Sequence, residues 1–212
     1  MKIIKQKFGE TPFSYIAYVP DNISEHPALL IQLHGAGERG NGEDELEKVL
    51  VHGFSKIVND DNLKDCILIM PQCPEDSFWV ARIESIKKFI DEIIVKFSAD
   101  KDRIYLCGIS MGGYGTWYTA MAHPDVFAAS APCCGGVMAW NAKVLTMPVW
   151  AFHGLSDKAV LPTQTIEMID ALKKFGNQNV KCDLYEGVGH DSWNRAFSEE
   201  TLKWILAQNK AK

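Results

Sequence analysis

Ile104-Tyr105-Leu106-Cys107-Gly108-Ile109-Ser110-Met111-Gly112-Gly113 is the stretch whose reading decides the fold. The apolar run Arg103–Cys107 reads as a strand. It passes through Gly108-Ile109-Ser110-Met111-Gly112, a Gly-x-Ser-x-Gly, into a helix over Met111–Ala122 that His123-Pro124 stops. A serine on so sharp a strand-to-helix turn is held in strained backbone with its hydroxyl presented, and small neighbours let the turn close. The same glycines could also serve a turn that does no chemistry.

Working outward, further apolar runs lie at Ala28–Leu33, Cys66–Met70, Phe127–Ala131, Val149–Phe152 and Lys181–Tyr185. Runs apolar on both faces belong to parallel sheets covered by helices. Lys2–Phe8 and Ser14–Val19 instead alternate like half-buried antiparallel strands, with Gly9 to Pro12 as turn. Helices are expected at Glu45–Val58, Ile83–Phe97, Met111–Ala122, Thr163–Phe175 and Glu199–Gln208. The second carries apolar residues at 83, 86, 89, 90, 93, 94 and 97, a continuous stripe at helical spacing. The pattern over 138–145 does not decide between helix and loop. Strands alternating with helices predict an α/β class: a mostly parallel, doubly wound sheet with antiparallel N-terminal strands. The gap before Val149 is too short for a large lid.

The chain has 212 residues, 47% hydrophobic and 23% charged, which suits a single domain over 1–212. No repeat or linker divides it. A net charge of −5 gives no reason to expect nucleic acid or an anionic membrane as partner. No run of 18 apolar residues exists to span a bilayer. Met1–Glu10 has no apolar core of a signal peptide, so a cytoplasmic protein is expected; a trimmed leader would make it secreted. The six cysteines follow no disulfide-module or zinc spacing, so reduced thiols and no metal or other cofactor are expected.

A serine hydroxyl needs a base to take its proton. Of six histidines, His190 lies in Glu186-Gly187-Val188-Gly189-His190, after the last strand, where a loop at the carboxyl ends of the strands would meet Ser110. His34 and His153 each end a strand in His-Gly, where anchoring of backbone is the commoner role. The base in turn needs an acid to hold its tautomer. Asp157, in His153-Gly154-Leu155-Ser156-Asp157, fits between serine and histidine in chain order. Asp191 is the rival, but adjacent to His190 it would have to fold back. For the oxyanion, the amide of Met111 is one expected donor. Ala36, in His34-Gly35-Ala36-Gly37-Glu38-Arg39-Gly40, is the other, unless those glycines only turn the loop. Glu38 and Arg39 are read as pinning that loop.

These motifs, with Met70-Pro71-Gln72-Cys73-Pro74 and Gly189-His190-Asp191-Ser192-Trp193, resemble the phospholipase/carboxylesterase and dienelactone-hydrolase-like branch of the α/β-hydrolase superfamily. The likeness is to bacterial esterases related to feruloyl and acetyl-xylan esterases and "predicted peptidases", and it runs from about residue 28 to 195. It implies the α/β-hydrolase fold and a serine carboxylic ester hydrolase acting through an acyl-enzyme. The substrate would be a small or polymer-attached ester, such as a feruloyl or acetyl ester of plant carbohydrate. A serine peptidase or thioesterase with the same triad is the alternative. In such relatives an aromatic after the Pro-Gln-Cys-Pro loop walls the substrate site. Trp79 is the candidate here, with Trp140 and Trp193 as others, and each could equally fill the core. Oligomeric state is not legible.

Overall fold

The computed structural model describes residues 1–7, 9 and 11–210. One eight-stranded sheet contains β1 (Lys2–Gln6), β2 (Tyr15–Val19), β3 (Ala28–Leu33), β4 (Cys66–Pro71), β5 (Ile104–Ile109), β6 (Ala129–Cys133), β7 (Val149–Gly154) and β8 (Val180–Tyr185). Their spatial order is β1-β2-β4-β3-β5-β6-β7-β8. β1, β2 and β4 pair antiparallel, and every pairing from β4 through β8 is parallel. This is the expected mostly parallel sheet with antiparallel N-terminal strands. Phe8 and Glu10, part of the first expected strand and turn, lie outside the described residues.

Six helices accompany the sheet among the described residues: α1 (Asp60–Leu63), α2 (Ile83–Lys96), α3 (Met111–Ala122), α4 (Thr163–Lys174), α5 (Trp193–Ala196) and α6 (Glu199–Leu206). The period-2 rule sorts strand residues to two faces. Leu29, Ile31, Leu33, Ile104 and Leu106 pack with Ile86, Phe89, Ile90 and Ile93 of α2, Trp117 of α3 and Leu172 of α4. Leu30, Leu68, Tyr105 and Cys107 pack on the other side with Leu202 and Ile205 of α6. Each such aliphatic side chain, fully buried, stabilises the fold by roughly 1.5–3 kcal/mol.

One expected helix does not form. Glu45–Val58 is two 3-10 turns, Leu46–Leu50 and Gly53–Lys56. The break is at Gly53, whose φ of +87° is a conformation side chains disfavour. Gln32, buried on β3, holds the break from both sides. Its Nε2 donates to the His52 carbonyl at 3.1 Å, and its Oε1 accepts from the Phe54 amide at 2.7 Å. The segment between β6 and β7 holds only the 3-10 turn Ala139–Val144.

The spatial order reverses between β3 and β5, so the loops leaving these strands diverge there and open a crevice at their carboxyl ends. Ser110 and the His34–Arg39 loop both lie at this point. A separate cavity of about 620 Å³, lined by Pro124, Phe127, Pro148 and Lys210, opens at the amino ends of β6–β8, away from Ser110.

Candidate active site

Ser110 joins β5 to α3 with φ 52° and ψ −116°. Such a backbone costs a non-glycine residue on the order of 1–3 kcal/mol and persists only where its surroundings impose it. Here the Ser110 amide donates to the Cys133 carbonyl at the end of β6 (3.0 Å), and the Tyr114 amide donates to the Ser110 carbonyl (3.0 Å). The first turn of α3 also runs against β3. A side chain at Gly112 would collide with the carbonyl of Leu33, which is why the position beyond the serine is glycine.

The loops after β7 and β8 are stitched together. The Leu155 amide donates to the Tyr185 carbonyl (3.0 Å) and the Ser156 amide to the Val188 carbonyl (2.9 Å). Gly154 leaves room only for the carbonyls of Val188 and Gly189. This seam brings Asp157 and His190 together. His190 Nδ1 lies 2.7 Å from Asp157 Oδ2, and His190 Nε2 lies 2.7 Å from Ser110 Oγ. Asp157 Oδ1 accepts the amides of Ala159 (2.8 Å) and Val160 (3.0 Å). Burial pushes the Asp157 carboxyl pKa up. The His190 hydrogen bond and the two amides outweigh burial and hold it below the usual carboxylate range. An ionised Asp157 fixes the proton on Nδ1 and leaves Nε2 to accept the serine proton, the arrangement that makes a hydroxyl nucleophilic. Asp191 is exposed, with its carboxylate 3.5 Å from the side-chain Nδ2 of Asn194.

Three successive carbonyls of the loop after β3 are each held by a side chain. Trp79 Nε1 donates to His34 O (2.9 Å), His34 Nδ1 to Gly35 O (2.6 Å) and Arg39 Nε to Ala36 O (2.9 Å). In a trans peptide the N–H points opposite to its carbonyl, so locking these oxygens turns the amides of Gly35, Ala36 and Gly37 the other way. Gly35 lies against the nucleophile: a Cβ built there would be 3.7 Å from Ser110 Cβ. Met111, the first residue of α3, has an amide with no acceptor inside the helix. The Met111 amide thus adjoins Ser110, and the Ala36 amide belongs to the peptide that follows Gly35.

His34 itself is buried, and its Nε2 accepts the Cys73 amide at 2.9 Å. Burial lowers its pKa from 6.5 to about 4, so the ring is neutral with its proton on Nδ1.

The tryptophans separate. Trp79 does not wall a cleft; it is 0% exposed, packed edge-on against Phe13 and His34, with its N–H spent on the loop. Sequence could not tell these roles apart, because both place an indole behind the same loop. Trp193 does flank the site, edge-on to His190 at 5.4 Å. Trp140 is 71% exposed on the Ala139–Val144 turn.

Two histidines that the sequence left aside also reach the site. His52 packs on Trp193 at 5.2 Å, and His153 Nε2 lies 3.2 Å from Asp157 Oδ2. Their proximity is a product of loop packing and leaves no local signature.

Among the described residues, Cys134, Asp157 and His190 could present sulfur, oxygen and nitrogen to a cation, all within 4.8 Å. Asp157 and His190 are the groups that align Ser110, so an ion there would compete with that alignment. All six cysteine thiols are free, and burial pushes the Cys73 thiol up to about 12.

A family model described as phospholipase/carboxylesterase matches residues 75–205. A bifunctional acetylxylan esterase/xylanase of Neocallimastix patriciarum is 26% identical over 162 residues, covering 71% of this chain and 22% of the relative. Poly(3-hydroxyalkanoate) depolymerase C of Paucimonas lemoignei is 42% identical over 138 residues, covering 50% and 33%. Feruloyl esterase B of Neurospora crassa is 27% identical over 129 residues, covering 56% and 42%. The chain therefore spans less than half the length of these curated relatives. Among solved structures, a thermostable esterase superposes with a TM-score of 0.85 at 27% identity, over 98% of this chain and 62% of the other.

Proposed function

The chain belongs to the phospholipase/carboxylesterase family, and on that premise we propose that it hydrolyses carboxylic esters through an acyl-enzyme on Ser110. The observation that carries the reading is the continuous chain of hydrogen bonds from Ser110 Oγ through His190 to Asp157, each 2.7 Å long.

Ser110 Oγ attacks the ester carbonyl carbon while His190 Nε2 takes the hydroxyl proton. The carbonyl oxygen becomes an oxyanion, met by the amides of Ala36 and Met111. As the carbonyl reforms, the carbon–oxygen bond to the alcohol breaks, and the alcohol leaves with the proton from His190. Water then repeats the sequence, with His190 as its base, and releases the acid and free Ser110. Asp157 stays ionised throughout and keeps Nε2 facing the reacting atoms.

The preferred substrates are feruloyl or acetyl esters carried on plant carbohydrate. The named activities of the relatives support this, as does Trp193 beside His190, an aromatic surface for a flat acyl or sugar group. The six free cysteines, five of them buried, fit a reducing cytoplasm.

A fluorophosphonate probe should label Ser110 alone. A panel of nitrophenyl acetate, a hydroxycinnamate ester and acetylated xylo-oligosaccharide should turn over faster than a matched peptide anilide or thioester. Faster cleavage of the anilide or thioester would overturn the ester reading, and labelling at another residue would overturn the nucleophile.

A further inference from the structure

We propose that His153 is a positioning residue of this site, a second imidazole that fixes the Asp157 carboxylate so that its Oδ2 faces His190. The inference rests on the assignment of Ser110, His190 and Asp157 as the reacting groups.

His153, next to last in β7, is fully buried. Its Nε2 has two neighbours, the Val160 carbonyl at 2.9 Å and Asp157 Oδ2 at 3.2 Å. Both are acceptors without a proton of their own, because Asp157 is held ionised. The proton therefore lies on His153 Nε2 and is directed at the Val160 carbonyl, with Asp157 Oδ2 beside it. On the other side of the ring, Nδ1 lies 2.7 Å from Thr165 Oγ1, which is also 3.2 Å from the Gly135 carbonyl. Thr165 on α4 thus anchors the ring from behind, and the imidazole bridges α4 to the Asp157 loop. The other titratable groups near Asp157 are His190 from the β8 loop and Cys134 after β6, with ligand atoms all within 4.8 Å.

The consequence is a carboxylate held on both oxygens. Oδ1 takes the amides of Ala159 and Val160, while Oδ2 takes His190 Nδ1–H and has the His153 ring edge 3.2 Å away. The amides fix one oxygen only, so the carboxylate plane could still turn about that edge. Val160 joins the imidazole to this grip: its amide holds Oδ1 and its carbonyl takes the His153 proton. His153 therefore fixes the peptide that holds the carboxylate, and its Nε2 closes off the space beside Oδ2.

Two substitutions separate the donor from the bulk. His153→Leu fills the space without an N–H, whereas His153→Gln can place an amide N–H near the position of Nε2. With nitrophenyl acetate, His153→Leu should lower kcat roughly 10- to 100-fold while KM stays within about twofold, the mark of a misaligned reacting group. His153→Gln should restore most of that loss. Wild-type kcat in folded His153→Leu, or a His153→Gln no better than His153→Leu, would overturn the proposal. Should His153→Leu not fold, nitrogen-15 NMR of histidine-labelled wild-type protein decides instead. His153 must show the Nε2–H tautomer, and an Nδ1–H tautomer overturns the assignment. Wild-type protein inactive on every ester would sink the esterase reading alone, since the tautomer measurement needs no substrate.

Discussion

Acidification should destabilise this fold through His34 before its carboxylates matter. The ring is buried and neutral, with its pKa lowered by burial from 6.5 to about 4, and it accepts the Cys73 amide on the nitrogen that protonation would occupy. In the unfolded chain the same ring protonates near pH 6.5. Between the two values the unfolded state binds a proton that the folded state refuses, so stability present at pH 7 is lost as pH falls. From pH 7 to 4.5 the loss is about 2 kcal/mol, since each unit of pKa difference is worth roughly 1.4 kcal/mol. Asp65, Asp100 and Asp157 also have lowered values, but a depressed carboxylate loses its contribution only as pH falls past its ordinary 3.8.

The assay is urea unfolding at several pH values between 7 and 4.5, for wild type and His34→Asn. Asparagine keeps a donor near Nδ1 for the Gly35 carbonyl and cannot titrate. It abandons the Cys73 amide, at a cost of about 1–3 kcal/mol that does not vary with pH. Wild type should lose about 1 M in urea midpoint over this range, taking a slope of roughly 2 kcal/mol per molar, and the variant should lose clearly less. Equal pH slopes in the two proteins would refute the assignment of the acid sensitivity to His34.

Other outcomes follow from the same geometry. Ser110→Ala and His190→Ala should each lower kcat for ester hydrolysis roughly 10⁴-fold or more without additivity in the double variant, as steady-state kinetics on folded protein will read. Asp157→Asn should lower kcat by about 10³- to 10⁴-fold by holding the wrong His190 tautomer, whereas Asp191→Asn should be nearly normal; the reverse ranking would move the acid to Asp191. Trp79→Phe keeps the ring but removes the hydrogen bond to His34 O. It should cost about 1–3 kcal/mol in urea unfolding and lower kcat more than it raises KM.

The sequence was most legible where chemistry is enforced by local sterics. The turn at Ser110 must be flanked by small residues because Gly112 abuts β3, so its signature is written in five consecutive positions. The meeting of Asp157 and His190 beside Ser110 was legible by chain order, because each loop leaves the carboxyl end of its own strand and the fold brings those ends together. Legibility failed where a distant residue decides a local conformation. Glu45–Val58 carries a helical apolar pattern, but Gln32 reaches across from β3 and fastens the chain on both sides of Gly53. Trp79 followed the expected loop, yet whether an indole faces solvent or core depends on Phe13 and His34, remote in sequence.

His34 and His153 both closed strands in His-Gly, and anchoring of backbone was the sober reading for each. For His34 it also bears on the proposed oxyanion donor Ala36. The carbonyl of Gly35 cannot rotate without breaking the bond to Nδ1, and that same peptide carries the Ala36 amide. An oxyanion donor acts best when no reorganisation is needed during the reaction. Trp79, His34 and Arg39 meet this requirement by holding three consecutive carbonyls, at 2.9, 2.6 and 2.9 Å. The loop is fixed by side chains behind it, so the proposed donor pair of Ala36 and Met111 would form without closure of a lid. The neutral state of His34 is part of that design: a charged ring could no longer accept the Cys73 amide, and the loop would lose one of its ties to the segment after β4. Burial, which makes the ring hard to protonate, is therefore also what keeps the peptide carrying the Ala36 amide in place as pH falls from 7.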